Sequence, residues 1–140
     1  MAEYNITAEW KENIAFEAQV ENHLVRMDSS GSDGSDSGAS PKRLVLAGLL
    51  GCTGMDVASL LKKMRVPFES LTITGRAPIT EEHPKTFAKV ELKYVVKGKD
   101  IKRDKVVRAI ELSQEKYCGV SIMIGKHCPV TWELKVVDLP

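Results

Sequence analysis

Apolar and polar residues alternate from the start of the chain. Tyr4, Ile6, Ala8 and Trp10 share one face of an extended segment, with Glu3, Asn5, Thr7 and Glu9 on the other. Ile14, Phe16, Ala18 and Val20 repeat the pattern against Glu17, Gln19 and Glu21, so Lys11-Glu12-Asn13 reads as a hairpin turn. A weaker third strand covers about Asn22 to Met27. Residues 28–39 contain only Asp, Ser, Gly and Ala, which predicts a flexible, solvated surface loop with nothing to bury.

Ser40-Pro41 then opens a helix, with Ser as N-cap and Pro at the first helical position, and the helix runs to about Arg65, where Pro67 forbids more. From Leu44 to Met55 it is apolar on every side, the pattern of a helix buried all round. Gly48, Gly51, Gly54 and Ala58 form a stripe of small residues, and close packing is the reason to accept about 1 kcal/mol for each interior Gly relative to Ala.

Period-two patterns return afterwards. Leu71, Ile73 and Gly75 alternate with Thr72 and Thr74, and Val90, Leu92, Tyr94 and Val96 with Glu91 and Lys93. Asp104 is positioned to cap a helix with the apolar line Val106 or Val107, Ile110, Ser113 and Tyr117. Cys118-Gly119 interrupts it, a short second helix ends at Gly125, and Val130, Trp132, Leu134 and Val136 predict a last strand. The order is three strands, a long helix, two strands, a broken helix and a strand. It predicts an α+β fold, one domain over residues 1–140, with no internal repeat.

Composition narrows the function. Twenty Lys+Arg against 19 Asp+Glu leave a formal charge of +1, without the basic excess that a nucleic-acid-binding domain carries. The N-terminal residues lack the apolar core of a secretory signal, and the charge-free stretch Leu44–Met55 is too short to cross a bilayer. A cytoplasmic protein without membrane contact is therefore expected. The Gly/Ser/Asp loop has neither the spacing of a phosphate loop nor that of a calcium loop. His23, His83 and His127 are scattered, and the basic run from Lys97 to Lys105 has no interleaved aromatics.

Three cysteines remain: Cys52, Cys118 and Cys128. An odd number without close spacing makes neither a disulfide framework nor a zinc motif. Cys52, in mid-helix, is either a small buried hydrophobe or a nucleophile, and the second role requires a thiolate. Helical geometry puts Asp56 on the same face, where it opposes ionisation, so an activating cation has to come from another element. Arg26 is the natural candidate and Lys42 a weaker one. Cys118, at the junction of two helices, is placed for a lowered pKa. Cys128, beside Pro129, has no such setting.

At these residues the sequence resembles the OsmC/Ohr family of osmotically inducible and organic hydroperoxide resistance proteins, closest to its small OsmC-like subgroup. The resemblance rests on Ser40-Pro41-Lys42-Arg43-Leu44 leading into Leu50-Gly51-Cys52-Thr53-Gly54-Met55-Asp56-Val57, and on Ala109-Ile110-Glu111-Leu112-Ser113 through Glu115-Lys116-Tyr117-Cys118. It implies an OsmC-like fold of antiparallel sheets around a long buried helix, assembled as an intertwined homodimer with its site at the subunit interface. It further implies a thiol-dependent peroxidase acting on organic hydroperoxides in oxidative-stress defence, with Cys52 peroxidatic, Cys118 resolving and Arg26 activating. The implied reductant is an external dithiol, without metal or other cofactor. One position departs from the family pattern. The reductases carry a Glu just after the Pro of the helix motif that holds the activating Arg, whereas this chain has Lys42 and Arg43, which leaves Arg26 without that acidic partner. The departure keeps a second reading open: a non-catalytic relative that binds an acyl or thiol-bearing small molecule in the same interface pocket.

Overall fold

The computed structural model describes all 140 residues, Met1 to Pro140. The elements in order are β1 (Thr7–Glu12), β2 (Ala15–Val20), β3 (His23–Met27), α1 (Pro41–Lys63), β4 (Ser70–Arg76) and β5 (Val90–Gly98). They continue with α2 (Arg103–Leu112), a π-turn (Ser113–Tyr117), α3 (Gly119–Gly125) and β6 (Val130–Asp138). The α+β order is the predicted one. The chain packs as two compact units, Met1–Val45 and Leu46–Pro140.

The first unit is an antiparallel meander, β1-β2-β3. A bulge between Trp10 and Glu12 keeps Lys11 and Glu12 in the strand and moves the turn to Asn13-Ile14, with Asn13 at φ 49°, a conformation Asn tolerates. Cross-strand register sets Glu17 opposite Arg26. The Arg26 guanidinium meets Glu17 Oε2 at 3.2 Å and Glu12 Oε1 at 3.0 Å, and its Nε donates to Ser37 Oγ at 2.9 Å. Arg26 therefore has two acidic partners although the Glu expected after Pro41 in the family pattern is absent. The acids come from neighbouring strands, not from the start of the helix.

The 28–39 loop also differs from expectation. Asp28 is buried, and its carboxylate accepts from the backbone N–H of Ser29 at 2.7 Å, Ser35 at 3.2 Å and Ser37 at 3.0 Å, and from Ser37 Oγ at 2.6 Å. These bonds, led by that from the Ser37 hydroxyl, hold the Asp28 carboxyl well below the usual carboxylate range. The loop is thus wound around one charge, and Ser37 links that charge to Arg26.

α1 starts at the end of the first unit and lies mainly in the second. By length and composition it is apolar enough to cross a membrane, more so than its charge-free stretch suggests. Its buried residues, however, form a single i,i+4 stripe, Leu49, Thr53, Val57 and Leu61. Three of these join Val90, Leu92, Tyr94 and Val96 of β5 and Val106, Ala109 and Ile110 of α2 in one core cluster. Burial all round is not observed within one chain: Met55 is 78% exposed, and a Cβ at Gly48 or Gly51 would meet nothing within 4 Å.

The second sheet runs β4-β5-β6. β4 pairs with β5 antiparallel as predicted, but β6 pairs with β5 in parallel, so this sheet is mixed rather than antiparallel. A parallel pair needs a long crossover, and α2, the π-turn and α3 supply it. α2 begins one residue before Asp104, which lies in the first turn and not at the cap. The π-turn closes with Cys118 N–H donating to Ser113 O at 2.7 Å, an i→i+5 bond. Its extra residue rotates Tyr117 off the apolar line and leaves it half exposed.

Candidate functional site: a cysteine pair over a buried hydroxyl network

Cys52 rides on α1, one residue before the buried Thr53, so its side chain sits about 100° round the helix from the core stripe and is half-buried. Asp56, one turn on, shares its face. Cys118 is the single residue between the π-turn and α3. It has extended backbone at φ −81°, ψ 93°, is fully buried, and its Sγ accepts from Ser121 N–H at 3.4 Å. Cys52 Sγ, a carboxylate oxygen of Asp56 and Cys118 Sγ lie within 4.8 Å of one another. The fold thus gathers two thiols from distant parts of the sequence beside one carboxylate. Cys128 is buried but stands outside this cluster. Arg26 belongs to the first unit, where Glu12, Glu17 and Ser37 engage it.

Beneath the pair is a network of polar side chains. Thr53 Oγ1 is 2.7 Å from Tyr94 Oη, 2.8 Å from Ser113 Oγ and 3.1 Å from Gln114 Nε2. Gln114 Nε2 also donates to Tyr94 Oη at 3.0 Å, and Ser121 Oγ donates to Gln114 Oε1 at 2.5 Å. Ser113 Oγ donates to Asp56 Oδ2 at 3.0 Å. A carboxylate only accepts and each hydroxyl has one proton, so these bonds fix one another's direction. Ser113 commits its proton to Asp56, so Thr53 donates to Ser113. Tyr94 then donates to Thr53, and the Gln114 amide feeds both Tyr94 and Thr53. The chain of donors ends on Asp56, and no buried side-chain nitrogen or oxygen lacks a partner.

Sequence reasoning missed Thr53, Tyr94, Gln114 and Ser121, and placed Ser113 only on an apolar line. The available signal was a polar group at an inward position: Thr53 inside the apolar helix, Tyr94 on the inward side of β5, Ser113 along the buried edge of α2.

The electrostatics of Cys118 reverse its expected direction. The Ser121 N–H at the start of α3 favours the thiolate, but burial outweighs it, and the neighbouring Cys52 and Asp56 push the same way. The Cys118 thiol is raised from 9.0 to about 12.

This architecture, a three-stranded meander, a long helix and a sheet completed through a broken crossover helix, is that of an OsmC-like protein. The chain belongs to the family of OsmC-like proteins, whose sequence pattern matches residues 34–133. It is 35% identical over 129 residues to Protein YhfA of Escherichia coli K12, spanning 91% of this chain and 94% of that one. Among solved structures, a hypothetical protein from Aquifex aeolicus VF5 superposes with TM-score 0.84 at 27% identity, over 99% of this chain and 100% of the other. The organic hydroperoxide resistance protein OhrB of Bacillus subtilis shares the fold with TM-score 0.64 at 19% identity, over 94% and 96%.

A thiol whose pKa is raised on folding contributes stability that is complete below its unfolded value and disappears as pH climbs through the folded one. Urea midpoints of the reduced protein should therefore fall between about pH 9 and 12. Cys118→Ser should lack that part of the alkaline loss, and Asp56→Asn, which removes one repelling charge, should show a shallower one. A Cys118→Ser variant with the wild-type alkaline slope would contradict the assignment.

Proposed function

We propose that this protein is a thiol-dependent peroxidase that reduces organic hydroperoxides with an external dithiol and no resident cofactor. The observation that carries the reading is the convergence of Cys52 and Cys118, with Cys52 half-buried and Cys118 fully enclosed. Cys52 thiolate attacks one oxygen of the ROOH peroxide bond, the O–O bond breaks, and Cys52 becomes a sulfenic acid. The leaving alkoxide takes a proton and departs as the alcohol. Cys118 sulfur then attacks the Cys52 sulfur, and the hydroxyl leaves as water once protonated, forming the Cys52–Cys118 disulfide. A dithiol reduces this disulfide and is itself oxidised.

The high pKa of Cys118 suits a thiol that waits. Burial is the main cause and the neighbouring Cys52 the next, so Cys118 stays protonated while Cys52 is reduced. In this reading Arg26 is the activating cation, and Glu12, Glu17 and Ser37 do the holding that a Glu after Pro41 does in the characteristic reductases.

The working form in this reading is a homodimer. Gly48, Gly51 and the exposed Met55 leave a smooth apolar strip on α1, suited to the close approach of a second α1. Wild type should turn over cumene hydroperoxide with a dithiol, Cys52→Ser should be inactive, and Arg26→Ala should retain the fold but lose at least about tenfold in kcat/KM, a barrier change of about 1.4 kcal/mol. Wild type as inactive as Cys52→Ser across several peroxides and dithiols, with stable mixed disulfides on Cys52, would replace the peroxidase by a small-molecule-binding protein. Gly51→Leu, at a position where an added Cβ meets nothing within one chain, should keep its helical circular dichroism yet elute as a monomer. A Gly51→Leu dimer would contradict the α1 interface.

A further inference from the structure

Cys52, Asp56 and Cys118 are more than a pair of thiols with a bystander charge. Their ligand atoms, two sulfurs and one carboxylate oxygen, lie within 4.8 Å of one another. Bonds of about 2.3 Å to sulfur and 2.0–2.2 Å to oxygen hold the ligand atoms of one centre no more than about 4.6 Å apart, close to the spacing found here. Two thiolates select a soft, zinc-class cation over magnesium or calcium, and three protein ligands leave a fourth tetrahedral position open.

A second observation points the same way. Ligating carboxylates are normally oriented by hydrogen bonds from behind, and Asp56 is held in that manner. Ser113 Oγ donates to Asp56 Oδ2, and the Ser113 hydroxyl is in turn fixed by Thr53, Tyr94 and Gln114. Asp56 forms no ion pair, since every salt bridge in the chain lies between other residues. A carboxylate oriented from behind, unpaired within the chain and close to two thiols, is a preformed ligand set.

We propose that the reduced Cys52–Asp56–Cys118 cluster binds one zinc-class divalent cation per chain. Both sulfurs bind as thiolates, any proton that a thiol still carries passing to solvent, and the complex carries two metal–sulfur bonds and one metal–oxygen bond. The cation is a competing ligand and not a cofactor of the peroxidase: while bound it occupies both sulfurs, and conversion of the sulfurs to a disulfide removes two of its three ligands. The proposal does not rest on peroxidase activity.

Cobalt(II) is the probe, titrated anaerobically into the reduced full-length protein. The expected result is a thiolate-to-cobalt charge-transfer band that saturates at one cobalt per chain and is bleached by added zinc(II). Cys52→Ser and Cys118→Ser should each abolish the band, and Cys128→Ser should leave it unchanged. Ser113→Ala should weaken cobalt binding about 10–100-fold through the loss of Asp56 orientation. Circular dichroism of each variant, and wild type with its thiols blocked by methylthiolation, separate loss of the site from loss of the fold. No band in reduced wild type, or a band that survives in both Cys52→Ser and Cys118→Ser, would overturn the proposal. A protein that gives the band but reduces no hydroperoxide retains the metal site and loses the peroxidase reading; the converse result does the opposite.

Discussion

The hydroxyl of Thr53 is the tie on which the second unit depends. It is buried in the face of α1 and makes three hydrogen bonds, to Tyr94 on β5 and to Ser113 and Gln114 at the start of the π-turn. Those bonds fix three elements at one point. The π-turn sets the position of Cys118, and α1 sets that of Cys52 and Asp56. A buried polar cluster is stabilising only when every member is satisfied, and here the donors and acceptors close without remainder. Removing one hydroxyl leaves its partners desolvated and unpaired, which typically costs about 1–3 kcal/mol.

The same network anchors the carboxylate that lies beside the thiol pair. Burial holds Cys118 as the thiol, and Asp56 adds to that effect. The charge of Asp56 is anchored from below by Ser113, so it stays close to both sulfurs. In the first unit the organising charge is Asp28, which gathers the 28–39 loop and through Ser37 steadies Arg26. Both units thus use one buried or half-buried carboxylate, supplied with hydrogen bonds from short polar side chains, to fix the groups around it.

Much of the fold was legible in the sequence because it rests on local periodicity. β5 is the clearest instance: Val90, Leu92, Tyr94 and Val96 alternate in sequence and all four are buried. Pro41 marked the start of α1 for a reason confined to one turn. What was not legible depends on pairing between distant segments. The parallel β5–β6 pair, the bulge at Trp10–Glu12 and the π-turn at Ser113 leave no mark in apolar spacing. The site divides in the same way. Helical arithmetic put Asp56 on the face of Cys52, but only the crossover brings Cys118 to them. The acids of Arg26 were sought near Pro41 in sequence, while the fold supplies them across strands. Cys118 was expected to be acidified by α3, and the same tight packing that places it there reverses the effect.

The central claim is that Cys52 and Cys118 form one redox couple, and the most direct measurement is peptide mapping with intact mass after one equivalent of an organic hydroperoxide. The account predicts a loss of two hydrogens per chain, a linked peptide pair containing Cys52 and Cys118, free Cys128, and one added oxygen on Cys52 in Cys118→Ser. A reduced Cys52 after treatment, or a disulfide that joins Cys128 to either of the others, would contradict it.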